Sequence, residues 1–228
     1  VGVYFYFERF NMKGKLRSLK REISLLLAEV EAVKFGSFKL TSGRESFYYI
    51  DLRIVPSHPQ AFRKIARLYG EEAKKIGLKN FNSVAGIPTA GMTFASVLAF
   101  NLRKPLIYVR KEAKAWGRGK RVEGSVKPGD SVLLVDDLIT TGKSVLEAAE
   151  AVWEVGGKTP YALVLIDREE GGARNLASKG IKLHSFLKVS ELFNHLYKAG
   201  YLEAEYRRKL FQQLKADSSP AVGRSIDL

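Results

Sequence analysis

Two adjacent carboxylates, Asp136 and Asp137, follow the apolar run Val132-Leu133-Leu134-Val135 and precede the small-residue turn Thr140-Thr141-Gly142-Lys143-Ser144. The run, opened by Pro128-Gly129, reads as a buried strand, and Val145, Ala148, Ala149, Val152 and Val155 mark a helix beyond the turn. A strand that turns through Thr, Gly and Ser into a helix can hold an anion. The N–H groups of the helix's first turn have no intrahelical partners, and the helix dipole favours negative charge there. The neighbouring acids suit a polyol or a hard metal cation. The plainer alternative is a buried strand, two solvated acids and an ordinary helix cap. Gly142-Lys143-Ser144 ends like a P-loop, but that loop needs a glycine where Asp137 stands, and a carboxylate inside the cradle would repel phosphate.

Other charged stretches stand at comparable places. Arg110 to Ser125 directly follows the apolar run Leu106-Ile107-Tyr108-Val109 and is dense in Arg, Lys and Gly. It reads either as a solvated hairpin or as a basic flap that closes on a polyphosphate. Arg168 follows the strand Pro160 to Ile166. It can pair with Glu169 or Glu170, or grip a substrate carboxylate in bidentate fashion. Phe35 to Arg53 alternates apolar and polar residues around Ser42-Gly43, the pattern of a β-hairpin. Its aromatics, close to Arg44 and Arg53, could lid a flat, anionic ring.

The elements that position these groups alternate between strand and helix. A helix over Leu16 to Val33 has one apolar stripe for packing on the domain. Further helices are expected from Ser57-Pro59 to Gly77, from Met92 to Leu102 (apolar nearly all round, hence buried) and from Tyr201 to Lys215. Strands are expected at Phe81 to Ile87, Leu106 to Val109 and Ile181 to Val189, with Ser190-Glu191 capping a short helix. Such alternation predicts a parallel sheet covered on both faces, with ligands at the strands' carboxyl ends, where Thr89, Arg110 and Asp136 fall. His58, His184 and His195 have no ligand spacing.

The 228 residues suffice for one α/β domain with a substantial core. A net charge of +14 implies acidic partners, either nucleic acid or small polyanions. The chain has no cysteine, which removes disulfides and thiol chemistry and fits a reducing cytoplasm. No apolar run approaches the roughly 18 residues that span a bilayer. Met12, followed by the first amphipathic helix, is the expected natural start.

FGSFKLTSGRESFYYIDLR, GIPTAG, RKEAKAWG, VLLVDDLITTGKS and DREEGG, in that order between Phe35 and Gly172, resemble the phosphoribosyltransferase family. RKEAK and DREEGG resemble the branch that uses orotate. The resemblance implies an α/β fold of the type I phosphoribosyltransferase kind. That fold is a parallel sheet flanked by helices, with a small hood or hairpin subdomain and a flexible basic flap. It divides a single domain, 1–228, into a possible extension (1–11), a hood helix and hairpin (12–58), a core (59–189) carrying the flap (110–125), C-terminal helices (190–215) and a tail (216–228).

The implied reaction joins orotate to the ribose 5-phosphate of phosphoribosyl pyrophosphate. It gives orotidine 5′-monophosphate and pyrophosphate, a step of pyrimidine biosynthesis, with Mg²⁺ held mainly by substrate and no direct protein ligand. By position, phosphoribosyl pyrophosphate would meet Arg110, Lys111, Lys114, Asp136, Asp137, Leu138, Ile139, Thr140, Thr141, Gly142, Lys143 and Ser144. Orotate would meet Thr140 and Arg168. Lys114, Asp136 and Asp137 would be the catalytic groups, and the flap would act across a homodimer. The family usually has histidine where Trp116 stands, and many members have a basic residue at Thr41 and a Tyr-Lys pair at Thr89-Ala90.

A transferase for a purine or uracil is the nearest alternative, although it would need neither Arg168 nor RKEAK. A nucleic-acid-binding regulator on the same fold is another; the charge permits it, but no recognition helix is evident. With fewer cations than usual at the pyrophosphate end, Lys114 carries more of the load. Lys114→Ala is expected to lower kcat severely with little effect on folding, and near-normal turnover in steady-state assays would count against the flap.

Overall fold

The structure, a computed structural model, describes residues 2–39, 45–110 and 121–218, with the side chains of 16–38, 46–110 and 121–214. It opens with helix α1 (Gly2–Glu29) and the antiparallel pair β1 (Val33–Lys39) and β2 (Glu45–Ile50). A 3₁₀ turn, Leu52–Ser57, leads into α2 (Pro59–Ile76), which has proline in its first turn and Gly77 at its end. Then follow β3 (Ser83–Gly86), α3 (Ala90–Leu102), β4 (Leu106–Val109) and β5 (Val122–Glu123). β6 (Ser131–Val135), β7 (Leu138–Ile139), α4 (Lys143–Glu154), β8 (Lys158–Asp167) and α5 (Gly172–Ala177) come next. β9 (Lys182–Lys188), α6 (Val189–Lys198) and α7 (Ala204–Ser218) complete the order.

The larger, seven-stranded sheet runs β5-β4-β3-β6-β8, with β7 and β9 also paired to β8, and every pairing except β4 with β5 is parallel. Leu163 of β8 pairs with Val135 of β6 on one side and His184 of β9 on the other. Side chains alternate across this sheet. Leu133, Val135, Leu163 and Leu165 face one core with α1, α2, α3, α6 and the hairpin, whereas Val132, Leu134, Ala162 and Val164 face a second with α4 and α5. The doubly covered sheet explains why its strands are continuous apolar runs.

Several elements differ from the sequence reading. α1 begins before Met12 and ends at Glu29; Val33 instead starts β1, where backbone pairing with Ile50 competes with the helix. Phe81 and Ile87 are buried but lie outside the short ladder of β3. α3 is not buried all round, because Phe100 is 83% exposed on the side that no described element covers. Glu191, accepting the Lys188 N–H at 3.0 Å, makes Lys188 and not Ser190 the cap of α6. β5, β7 and α5 were not expected. The turn proposed at Ser42-Gly43 lies outside the described residues.

The hairpin and α6 are joined by aromatic packing. Phe193 is fully buried, with ring centroids of Phe35, Tyr48 and Phe47 at 5.4, 5.0 and 6.2 Å. Phe193→Ala is expected to cost about 3–5 kcal/mol, the range for truncating a buried Phe. Urea denaturation reads this directly, and a loss below about 1 kcal/mol would mean that the cluster collapses to fill the space.

Candidate active site

Asp136 and Asp137 interrupt a strand and do not end it. Val135 pairs with Leu163 and Leu138 with Ile166, so the register along β8 is unbroken across the two acids. The chain is anchored there from several sides. Tyr69 on α2, fully buried, donates its hydroxyl to the Asp136 carbonyl at 2.7 Å. Gly91, at the start of α3, comes so close that a Cβ there would lie 2.5 Å from the Val135 carbonyl and 2.8 Å from Asp136 Oδ1. Asp136 Oδ1 accepts the Asp137 N–H at 2.9 Å, and Asp137 Oδ1 accepts the Leu138 N–H at 2.8 Å. One oxygen of each carboxylate is thereby committed to the backbone.

The carboxylates are half-buried by exposure but stand in crowded surroundings that withhold water. Burial, and then the neighbouring Asp137 charge, push Asp136 well above the ordinary carboxylate range; burial also raises Asp137. Tyr69 is raised by burial and then by the same two acids. Arg53 opposes the shift of Asp137 from a distance, but its own donors go to Asp51 at 2.6 and 2.9 Å and to the Tyr49 hydroxyl at 2.8 Å.

Past the acids, Leu138 and Ile139 turn their side chains into the two cores. Thr141, Lys143 and Ser144 are exposed, and Gly142, with φ 85°, turns the chain into α4. The segment after β8 braces this turn. Arg168 N–H donates to the Ile139 carbonyl at 3.0 Å, Gly172 N–H to the Thr140 carbonyl at 2.9 Å, and Asn175 Nδ2 to the Thr141 carbonyl at 2.9 Å.

Arg168 is buried and joined to the hairpin. Its Nη2 donates to the Tyr48 hydroxyl at 3.1 Å, and the guanidinium carbon lies 4.8 Å from the Tyr48 ring centre. Its Nε is 2.9 Å from Glu170 Oε1, an ion-pair distance, but the two atoms are not aligned as a hydrogen bond. Of the two acids open as partners, Glu170 is therefore the one used. Tyr48 is pushed up to about 12, with burial outweighing the pull of Arg168.

The fold thus gathers Asp136, Asp137, Thr140 to Ser144 and Arg168 at the carboxyl ends of β6, β7 and β8. Arg110 stands at the end of β4, its Nη1 3.0 Å from Glu123 Oε1. Lys111, Lys114, Trp116, Thr41 and Arg44 lie outside the described residues. Tyr69, Asn175 and Glu170 were not singled out as functional. Tyr69 sits on an apolar stripe, where its hydroxyl was the one available signal; Asn175 carried none.

The phosphoribosyl transferase domain family model matches residues 53–187. The chain is 44% identical over 175 residues to the orotate phosphoribosyltransferase of Pyrococcus furiosus, across 77% of this chain and 96% of that protein. It belongs to the orotate phosphoribosyltransferase family. Among solved structures, the Aeropyrum pernix orotate phosphoribosyltransferase superposes with TM-score 0.66 at 34% identity, over 78% of this chain and 99% of that one. Leishmania donovani UMP synthase gives TM-score 0.75 at 31% identity over 86% of this chain, which spans 42% of that larger protein.

Asp136 and Asp137 present hard carboxylate oxygens beside the turn into α4, the donor type that Mg²⁺ takes.

Because Asp136 is raised in the folded state, folding holds a proton that the unfolded chain releases near pH 4. Its contribution to stability is full below that pH and is lost as pH climbs toward the folded value. Asp136→Asn keeps an oxygen for the Asp137 N–H and removes the buried charge. It is expected to raise Tm by about 2–4 °C at pH 8, the shift worth ~1 kcal/mol in a chain of this size, with no gain near pH 4. Melting curves showing equal or lower Tm at pH 8 would contradict the assignment.

Proposed function

We propose that this protein transfers the 5-phosphoribosyl group from phosphoribosyl pyrophosphate to orotate, releasing pyrophosphate. The observation that carries the reading is the juxtaposition of a clamped guanidinium, Arg168, with two acids and a helix N-terminus on one strand-end surface. The guanidinium suits orotate's carboxylate, the acids the ribose hydroxyls, and the first turn of α4 the 5′-phosphate. The names of the relatives support the same substrates.

In this reading the N–H groups of Thr140, Thr141, Gly142, Lys143 and Ser144 wrap the 5′-phosphate, with Leu138 and Ile139 supplying the strand behind it. Thr140 and Arg168 hold orotate so that its ring nitrogen faces C1′. As the C1′–oxygen bond to pyrophosphate breaks and the bond to orotate's nitrogen forms, positive charge grows on the ribose. Asp136 and Asp137 stabilise that charge, and Arg110, Lys111 and Lys114 stabilise the departing pyrophosphate. Mg²⁺, when bound with the substrate, neutralises phosphate charge. Orotate enters as an anion, so positioning and electrostatics carry the catalysis and no general base is required.

The hairpin and α1 serve as a hood, a role supported by the reach of Tyr48 from β2 to Arg168. A homodimer is supported by apolar exposure, with Phe100 of α3 at 83% and Leu106 and Tyr108 of β4 at 39%; in such a dimer the flap would act in trans. Among the described residues no helix is long and apolar enough to cross a membrane. A cytoplasmic location is supported by the cysteine-free composition.

Following orotate absorbance with phosphoribosyl pyrophosphate and Mg²⁺ tests the reaction. Loss of absorbance is expected only with all components present, and EDTA should abolish it. Turnover of hypoxanthine or uracil without orotate would move the protein to another branch, and salt-sensitive nucleic-acid binding without any turnover would favour a regulator.

A further inference from the structure

The chain returns to the sheet after residues 111–120 at Arg121. The Arg110 N–H donates to the Arg121 carbonyl at 2.8 Å, and the next residue, Val122, pairs with Val109. Arg121 is therefore locked to β4 by its backbone. Its side chain lines a cavity of about 340 Å³ together with Pro88, Arg110, Lys143, Ser144 and one acid, Glu147, at the carboxyl ends of β3 and β4 and against the first turn of α4.

The cations around this cavity are not equivalent. Arg110 is paired with Glu123, and Lys143 points outward, 83% exposed and 3.9 Å from Glu147. The Nε of Arg121 is enclosed, and among the described residues it has no hydrogen-bond partner. An enclosed guanidinium N–H without an acceptor is unfavourable, and native proteins normally provide one. The far wall of the cavity is the first turn of α4 with Ser144, which the proposed reading gives to the 5′-phosphate, whereas Arg110, beside Arg121, is given to the diphosphate. The acceptor that fits the enclosed Nε on the Arg110 side is a diphosphate oxygen.

We infer that Arg121 is a further substrate-binding residue, donating from Nε to the diphosphate of phosphoribosyl pyrophosphate and then to the released pyrophosphate. This rests on the proposed transferase reading. Unlike a surface lysine, Arg121 is held in place before any ligand arrives, so less ordering is required on binding.

The test is titration calorimetry of Mg²⁺-pyrophosphate into wild type, Arg121→Ala, Arg121→Gln and Arg121→Lys, alongside KM values for both substrates. Arg121→Ala is expected to weaken pyrophosphate binding and raise the KM for phosphoribosyl pyrophosphate about tenfold, the scale of one lost charge-assisted hydrogen bond. The KM for orotate and the urea midpoint should hold, and lysine should recover part of the loss. If the alanine variant does not fold, the glutamine variant, which keeps most of the packing, is read in its place. Unchanged pyrophosphate affinity in a folded alanine or glutamine variant overturns the inference, as does an effect on orthophosphate binding alone. The two readings fail separately. Arg121-dependent pyrophosphate binding without orotate turnover would leave this inference standing while the proposed reaction falls. Normal orotate turnover with an indifferent Arg121 would do the reverse.

Discussion

Three successive carbonyls, of Ile139, Thr140 and Thr141, are each held by a donor from the segment after β8: the Arg168 N–H, the Gly172 N–H and the Asn175 side chain. Holding the carbonyls on one side fixes the peptide planes, so the turn that enters α4 has a defined backbone course before any ligand is present. The same segment carries Arg168 and Glu170. The brace therefore sets the distance between the turn and the guanidinium, which no side chain of either could do alone. Rigid backbone in both partners is what gives such a site its precision.

Around that frame the molecule accepts unfavourable electrostatics. Two acids sit side by side where burial raises both, and the Tyr69 hydroxyl, fully buried, fastens the backbone between them. Among the described residues neither acid has an ion-pair partner, whereas exposed acids such as Glu71 and Glu205 are paired within their helices. Crowded acids with raised titration and no paired cation, in a cleft on a molecule whose surface is paired, are the pattern of a site whose partner arrives from solution.

The hood side depends on aromatic packing. Phe35, Phe47 and Tyr48 close on Phe193, and Tyr48 extends past that cluster to Arg168. Stability of the hairpin and orientation of the guanidinium are thus one problem. A loosened cluster would move the Tyr48 hydroxyl and, with it, one of the two contacts that orient Arg168.

By itself the sequence determined the alternation of strands and helices, the parallel sheet, and the placing of Arg110 and Arg168 just past the carboxyl ends of strands. These follow from local apolar runs, Pro59, Gly77 and Gly142, whose effects act within a few residues. Only the tertiary structure decided that the strand continues past Asp136-Asp137 as β7, because that register is imposed by β8. It alone paired Arg168 with Tyr48, 120 residues distant, and chose Glu170 over Glu169. It left Phe100 uncovered on a helix whose composition reads as buried, since coverage depends on which neighbours the fold supplies. The types of group in the site were legible because chemistry resides in side chains. Their partners were not, because a partner is whichever residue a distant part of the chain brings within about 3 Å.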